Sequence, residues 1–579
     1  MAISESRLYY AATRDYIQSL TARTGPRQPP EALAQELFER TVAAVESANV
    51  TLPKSQRLKP PKNLTFMQIG ELMLYYYHIR RISCTNDNAD QYNDLLGVYQ
   101  SDGPFEGIYL TAEEDFRTLA RDFNRHISTK DFGELLVYIK DNAARAERSS
   151  DKDLIAVNNG IFDYRSKTLK PFDPERVFLA KSRVDYDPAA KNVVIRNPDD
   201  GTDWDVESWV ADLTDSPAIT NLIWQMLGAI IRPFVKWNKS AWLYSTSGNN
   251  GKGTLCHLMR NLCGDGTWAS ISISDFSKDF MLEPLLRANA VIVDENDVGA
   301  YIDKAANLKA VITNDTILIN RKFKMPVVYQ FRGFMVQCLN EFPKIKDKSD
   351  SFYRRQLFVP FSKCFTGAER RYIKDDYLNR RDVLEYVLFR VLNMDYYQLD
   401  EPDECREVLE DYKEFNDPVR DFMDEFSGQF VWDLLPFTFL YDLFKSWFGR
   451  IQPSGSVLGR NTFISDVINA VSSNPVWSCQ GRKVPVRSAG KMTKPEPLIA
   501  KYNLVDWMNP NYKGPDIKQV CRPAVSANYR GLVRTGHPVD PLAGLTIDDI
   551  ERMTANNPGP LAPEPAAAPG GSGKSNANP

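Results

Sequence analysis

The stretch SAWLYSTSGNNGKGTLCHLMRNLCG, residues 240–264, decides the fold. Ala241 to Tyr244 reads as a buried strand, Thr246 to Gly251 as a glycine-containing turn, and Thr254, Leu255, Leu258, Met259 and Leu262 as the apolar face of a helix. Strand, glycine-bearing loop and helix in that order are the setting of a phosphate loop. Gly248 and Gly251, with Asn249 and Asn250 between them, let backbone N–H groups converge on an anion. The helix start adds positive partial charge and Lys252 a formal one, so a triphosphate is the expected ligand. The loop departs from the usual pattern at two places. Thr246 stands where a glycine six residues before the lysine is usual, and Gly253 where a Ser or Thr follows it. Thr254 is the nearest hydroxyl for a magnesium ion; either the loop shifts to bring it there or water fills the place. GSGKS at 571–575 matches the pattern better by letters, yet no strand precedes it and only Asn576 to Pro579 follow, so no function is assigned to it.

Downstream, ANAVIVDEND (288–297) ends an apolar strand in Asp294 and Glu295. Magnesium-dependent hydrolysis needs one carboxylate to hold the metal shell and one to orient or deprotonate the attacking water. A third apolar strand, GFMVQCLNEFP (333–343), ends in Asn340, an amide suited to positioning that water or sensing the terminal phosphate. DSFYRRQLFVPF (350–361) places Arg354 and Arg355 before another apolar run, and a guanidinium neutralises charge developing on a transferred phosphoryl group.

The chain has 579 residues and a formal charge of −4, with 43% hydrophobic and 25% charged residues, which is globular composition. No apolar run reaches a membrane span, and the amino terminus carries charges where a signal peptide needs its apolar stretch; the expected compartment is the cytoplasm. Eight scattered cysteines without a C-x-x-C pair and four dispersed histidines argue against zinc or a disulfide framework. Residues 1–150 read as mostly helical on FMQIGELMLYYYHI and FGELLVYIKDNA; from Asp153, LIAVNNGIFDY and RVFLAKSRVDYD read as tightly joined strands. Residues 395–425 hold 13 acidic against 3 basic residues, a solvated helical face by composition. Residues 445–534 hold 14 basic against 4 acidic residues, with Trp447, Trp477, Trp507, Tyr502, Tyr512 and Tyr529 among them. That composition suits a nucleic-acid surface or a small domain with a basic exterior.

In combination, GNNGKGT (248–254), VIVDEND (291–297), LKAVITNDTILINRKFK (308–324), MVQCLNEFP (335–343) and SFYRRQLFVPF (351–361) resemble the superfamily-3 helicases, in the branch of phage, plasmid-satellite and poxvirus primase-helicases. The resemblance implies a multidomain α/β protein: a mostly helical amino-terminal region and candidate collar at 1–150, a pre-motor domain at 151–235 and an AAA+ type parallel-sheet motor at 236–395. An acidic connector at 396–430, a basic winged-helix-like domain at 431–540 and a disordered tail at 541–579 complete it. It further implies an ATP-hydrolysing replicative DNA helicase of a phage or mobile element, acting in the host cytoplasm. The motor would be a homo-oligomeric ring, a hexamer, that translocates on single-stranded DNA and unwinds forked DNA, alongside a separate primase or other replication proteins. An AAA+ initiator or loader is the alternative. By the same resemblance Lys252 binds phosphate, Thr254 and Asp294 hold magnesium, Glu295 activates water and Asn340 is the sensor. Arg355, with Arg354 second, is the finger toward the neighbouring subunit. Arg321, Lys322 and Lys324 would grip DNA from a pore hairpin; three cations in four residues repel one another around a ring unless a DNA backbone fills it. Priming is not expected: the Asp-x-Asp pairs, Asp151 with Asp153 and Asp203 with Asp205, both follow His126, and the next histidine, His257, lies in the loop helix.

Overall fold

Four-residue runs such as Ala290–Val293 are apolar at every position, so they are stable only where both faces of a strand are covered. A computed structural model covers them in this way. It describes residues 4–536, except 25, 86–93, 298–300, 303, 323, 346, 368–369, 452–456, 473 and 480. The expected tail and GSGKS therefore lie outside the described residues. The chain divides into two units, Met1–Lys413 and Glu414–Pro579. The protein is a mixed α/β multidomain chain.

At the centre of the first unit is a five-stranded parallel sheet in the order Trp268–Ala269, Ala290–Val293, Phe334–Leu339, Ser240–Tyr244, Gln356–Pro360. The strand ending in Asn340 therefore lies between the strand of the glycine loop and the strand of Asp294. Parallel pairing puts the carboxyl ends of all five strands along one edge, where loops that bind ligands collect. The helix Lys252–Cys263 packs on the sheet through Leu255, Leu258, Met259 and Leu262, all fully buried, as the helical spacing predicts.

Ahead of the sheet, Leu154–Val157, Gly160–Asp163 and Thr168–Lys170 form an antiparallel three-stranded sheet. Ser216 and Pro217 start the helix Pro217–Ala229, with the Ser216 hydroxyl accepting from the Ile219 N–H.

The amino-terminal 150 residues contain the helices Glu5–Thr21, Pro30–Thr51, Phe66–Tyr76, Glu113–Phe123 and Thr129–Asn142, packed around Tyr16, Leu37, Leu72, Phe116 and Leu135. They also contain a four-stranded sheet that the helical reading passed over, in the order Tyr109–Leu110, Leu95–Tyr99, Ile79–Ser83, Arg145–Glu147. The cause is local: Tyr77 ends the helix by turning extended, and the chain enters the strand Ile79–Ser83 without a glycine or proline to mark the change. One buried cluster runs from Ile82, Leu95 and Tyr109 to Trp242, Val291 and Phe358, so this sheet and the parallel sheet share a core.

In the second unit the helices Pro418–Phe426, Phe437–Ile451 and Arg460–Ala470 cover an antiparallel sheet ordered Leu434–Pro436, Gly531–Arg534, Trp477–Ser478. Four of the six aromatic side chains named in its basic segment turn inward, and Tyr512 and Tyr529 are half-buried. Trp447, Trp477, Trp507 and Tyr502 are buried. Their indole N–H groups donate internally, Trp447 to Glu425 (2.6 Å), Trp477 to the Ser427 carbonyl (2.9 Å) and Trp507 to Asp442 (3.0 Å). Pulling one outward would leave its acceptor unpaired, at about 1–3 kcal/mol. These four are core rather than stacking platforms for bases; composition names the residues of a segment but not the side they face. Among the described residues, no helix is long and apolar enough to cross a membrane.

Glu496 is fully buried in this unit, accepting from the N–H groups of Val431 (2.9 Å) and Trp432 (3.4 Å). Burial raises its carboxyl above the ordinary value. A folded-state pKa above the unfolded one stabilises most at low pH, and that contribution is lost as pH rises through the folded value. Glu496→Gln should remove this slope, so its melting temperature relative to wild type should rise from the ordinary carboxylate range toward neutrality; parallel melting curves at every pH would refute this.

Candidate nucleotide site

Gly251 sits at the entry to the helix Lys252–Cys263 with φ of +82°, a left-handed conformation that favours glycine. An added Cβ would also meet Leu213 Cδ2 at 2.5 Å. Asn249, at φ +51°, occupies the same region, which asparagine tolerates better than most residues. Asn250 is buried and its side chain closes the loop, donating to the Ser247 carbonyl and accepting from the Lys252 N–H. At Gly253 a Cβ would meet nothing within 4 Å. The missing hydroxyl there does not reflect a lack of space. A strap covers the loop: the Phe365 N–H donates to the Asn249 carbonyl at 2.8 Å, and Asn249 Nδ2 donates to Thr366 Oγ1 at 3.4 Å.

The Lys252 side chain turns down to the sheet edge and is 5% exposed. Its Nζ donates to Asn340 Oδ1 (2.9 Å) and to the carbonyls of Leu339 (3.1 Å) and Ser245 (3.4 Å). All three acceptors are neutral, and among the described residues no carboxylate pairs with this ammonium. Burial accordingly pushes its pKa below the ordinary lysine value. A buried cation that lacks a counter-charge is a standing attraction for an anion. Lys252 and Asn340, 88 residues apart, are thus direct partners.

Asp294 is held differently. Arg260, two turns along the loop helix, donates to both its carboxylate oxygens at 2.9 and 3.1 Å and lies over the Trp268 ring at 4.8 Å. The guanidinium holds the Asp294 carboxyl below its ordinary value. Sequence reasoning missed Arg260, although a charged residue amid the apolar face of the glycine-loop helix was the available signal. Glu295 is exposed. Asn296, also missed, ties the segment after the acids to the neighbouring strand, donating to Gln337 Oε1 and the Cys338 carbonyl, each at 3.0 Å.

Of the arginine pair, Arg355 is half-buried and its Nη1 is tied back to the Ser351 carbonyl and, at 2.7 Å, to Ser351 Oγ. Arg354 is exposed. Arg354 is thus the less restrained of the two. Arg321 and Lys324 face each other where the strands Thr316–Arg321 and Lys324–Gln330 meet in a hairpin, beside exposed Lys322. Cations of this hairpin already have anions within the chain: Arg321 pairs with Glu283 (3.3 Å) and Lys324 with Glu113 (2.8 Å). Self-repulsion is thereby relieved without DNA. The two Asp-x-Asp pairs serve local structure, Asp153 accepting from Tyr397 and Arg165 and Asp205 capping the helix Val206–Asp212.

A magnesium ion would find hard oxygen donors here in the Thr254 hydroxyl and the Asp294 and Glu295 carboxylates. Among the described residues there is no cluster of three or more His, Cys, Asp or Glu able to hold a metal unaided. That donor set suits an ion that keeps its waters and arrives with phosphates.

Residues 70–215 match the family D5 N terminal like. Residues 243–355, which span the glycine loop, both acids, the hairpin, Asn340 and both arginines, match a family of unknown function, DUF5906. No curated protein matches. Among solved structures, the chain is similar to the apo structure of NrS-1 C terminal region (305-718), with 14% identity, 74% of this chain and 98% of that chain covered, and a TM-score of 0.39. It is also similar to the A form apo structure of NrS-1 C terminal region-CTR, with 12% identity, 70% and 87% covered, and a TM-score of 0.36.

The two loop glycines should respond oppositely to substitution. Gly251→Ala should lose about 1–2 kcal/mol of stability from the left-handed backbone alone, and the Leu213 contact adds to it. Gly253→Ser should melt with wild type. Equal melting of both variants would contradict this geometry.

Proposed function

We propose that the protein is an ATP-dependent replicative DNA helicase of phage or mobile-element type, a superfamily-3 AAA+ ring motor. The observation that carries the reading is the buried Lys252 ammonium held by Asn340 and two carbonyls at the carboxyl edge of a parallel sheet, without a carboxylate partner among the described residues. A polyphosphate is the anion that such a site accepts, and the next strand but one brings Asp294 and Glu295 to the same edge. The D5 N terminal like match ahead of the site and the DUF5906 match across it support a phage-type replication protein in the primase-helicase group.

In this reading the Gly248–Gly251 loop and Lys252 bind the β- and γ-phosphates, and Asn340 holds Lys252 in register with the terminal phosphate. Thr254 and Asp294 hold magnesium, which when bound neutralises phosphate charge. Glu295 accepts the proton of the attacking water. Arg354 reaches the nucleotide of a neighbouring subunit, so hydrolysis requires the ring, a hexamer. Movement of the hairpin exchanges the Glu113 and Glu283 partners of Lys324 and Arg321 for the phosphates of one DNA strand.

A second reading, an AAA+ initiator or loader without processive unwinding, draws support from the Arg260 guanidinium on both oxygens of Asp294 and from the absent hydroxyl at Gly253. Strand separation of a forked DNA with ATP and magnesium decides between them. We expect unwinding that Lys252→Ala abolishes, and loss of hydrolysis by about 10³-fold or more in Arg354→Ala, the scale of an arginine finger. Arg354→Ala subunits mixed into wild-type rings should depress activity more than in proportion. Lys324→Ala should weaken single-strand binding and flatten its salt dependence. Rings that bind DNA and hydrolyse ATP without separating strands would favour the second reading.

A further inference from the structure

Beside the glycine loop is a cavity of about 730 Å³, within the size range of small-molecule sites. One wall is the loop itself, at Asn249, Gly251 and Thr254. The others come from residues within 203–213, before the sheet, and within 365–375, after it, both outside the five segments that carry the resemblance. We propose that this cavity receives the nucleoside half of the nucleotide, an amino-bearing purine seated between Trp209 and Phe365; the proposal rests on the phosphate-loop reading above.

Three observations carry it. The first is position. A nucleotide with its phosphates on the loop must place its sugar and base within a few bonds, and the cavity opens on the same residues. The backbone hydrogen bond from Phe365 to Asn249 fixes the far wall relative to the loop.

The second is the chemistry of the wall. Trp204, Trp209 and Phe365 provide aromatic surface, and a base offers two π-faces to such surface. Trp204 is 5% exposed and backs this wall. Exposed Asp212 on the same wall offers a carboxylate acceptor, which suits the exocyclic amino group of adenine or guanine, a group that uracil lacks.

The third is charge. Arg370, Arg371 and Lys374 line the cavity, and Lys374 is near enough to Asp294 to help depress its carboxyl. Lys374 therefore lies on the side of the cavity toward Asp294, and all three cations suit an anionic ligand.

The test is equilibrium binding of ATP, GTP, UTP and inorganic triphosphate to the full chain, with Trp209→Ala, Trp209→Phe, Phe365→Ala and Lys252→Ala beside wild type, each checked for unchanged melting. Wild type should bind ATP or GTP roughly tenfold or more tightly than UTP or inorganic triphosphate. Trp209→Ala and Phe365→Ala should each lose roughly tenfold in purine nucleotide binding, the order expected for one base–aromatic stack. Their binding of inorganic triphosphate should be unchanged, and Trp209→Phe should keep most of the purine preference. Purine binding that survives both alanine variants, or UTP bound as tightly as ATP and GTP, would overturn the nucleoside site and leave the phosphate loop intact. Failure of wild type to bind inorganic triphosphate, or indifference to Lys252→Ala, would overturn the phosphate loop itself.

Discussion

Everything at the candidate site is arranged around one electrostatically incomplete group, the Lys252 ammonium. It lies in the interior with amide and carbonyl oxygens for company and, among the described residues, no carboxylate partner. Neutral acceptors satisfy its hydrogen bonds but not its charge, so the local field stays positive and the loop above it stays receptive to an anion. The sheet sustains this. Because the strand of Asn340 is inserted between the strands of the loop and of Asp294, the lysine meets an amide as its nearest neighbour rather than an acid. Adjacent loop and acid strands would bring a carboxylate closer to neutralising the lysine in the absence of ligand.

The acids have the complementary arrangement. Asp294 is matched by Arg260, which belongs to the same helix as Lys252. One helix thus carries a cation for the ligand at its start and a cation for the acid two turns later. Any change in the angle of that helix is felt at both places. The hairpin repeats the theme, since the charges of Arg321 and Lys324 are held by Glu283 and Glu113 within the chain. A nucleic-acid phosphate competing for them would replace existing ion pairs, so the net electrostatic gain is smaller than a count of cations suggests.

The second unit shows the limit of composition as evidence. Its segment 445–534 remains strongly basic, and its cations still offer a surface for a polyanion. Its tryptophans do not share that surface, because each buried indole has an internal acceptor and packs into one aromatic core with Phe422, Phe444 and Phe463. Charge and aromaticity coincide along the chain and separate in space.

Those features legible in the sequence were the ones fixed within a few residues of chain. Gly251 needs a left-handed backbone, Lys252 follows it, an apolar helix face repeats every three to four residues, and fully apolar runs demand a doubly covered sheet. From these come the glycine loop, the acid and amide strand ends and the parallel sheet. Tertiary structure alone decided which distant residues meet: Lys252 with Asn340, Arg260 with Asp294, and Trp204, Trp209 and Phe365 around one cavity. The physical reason is that backbone preference and periodicity are set by near neighbours, whereas strand order and side-chain pairing are set by how whole elements exclude water from a shared core.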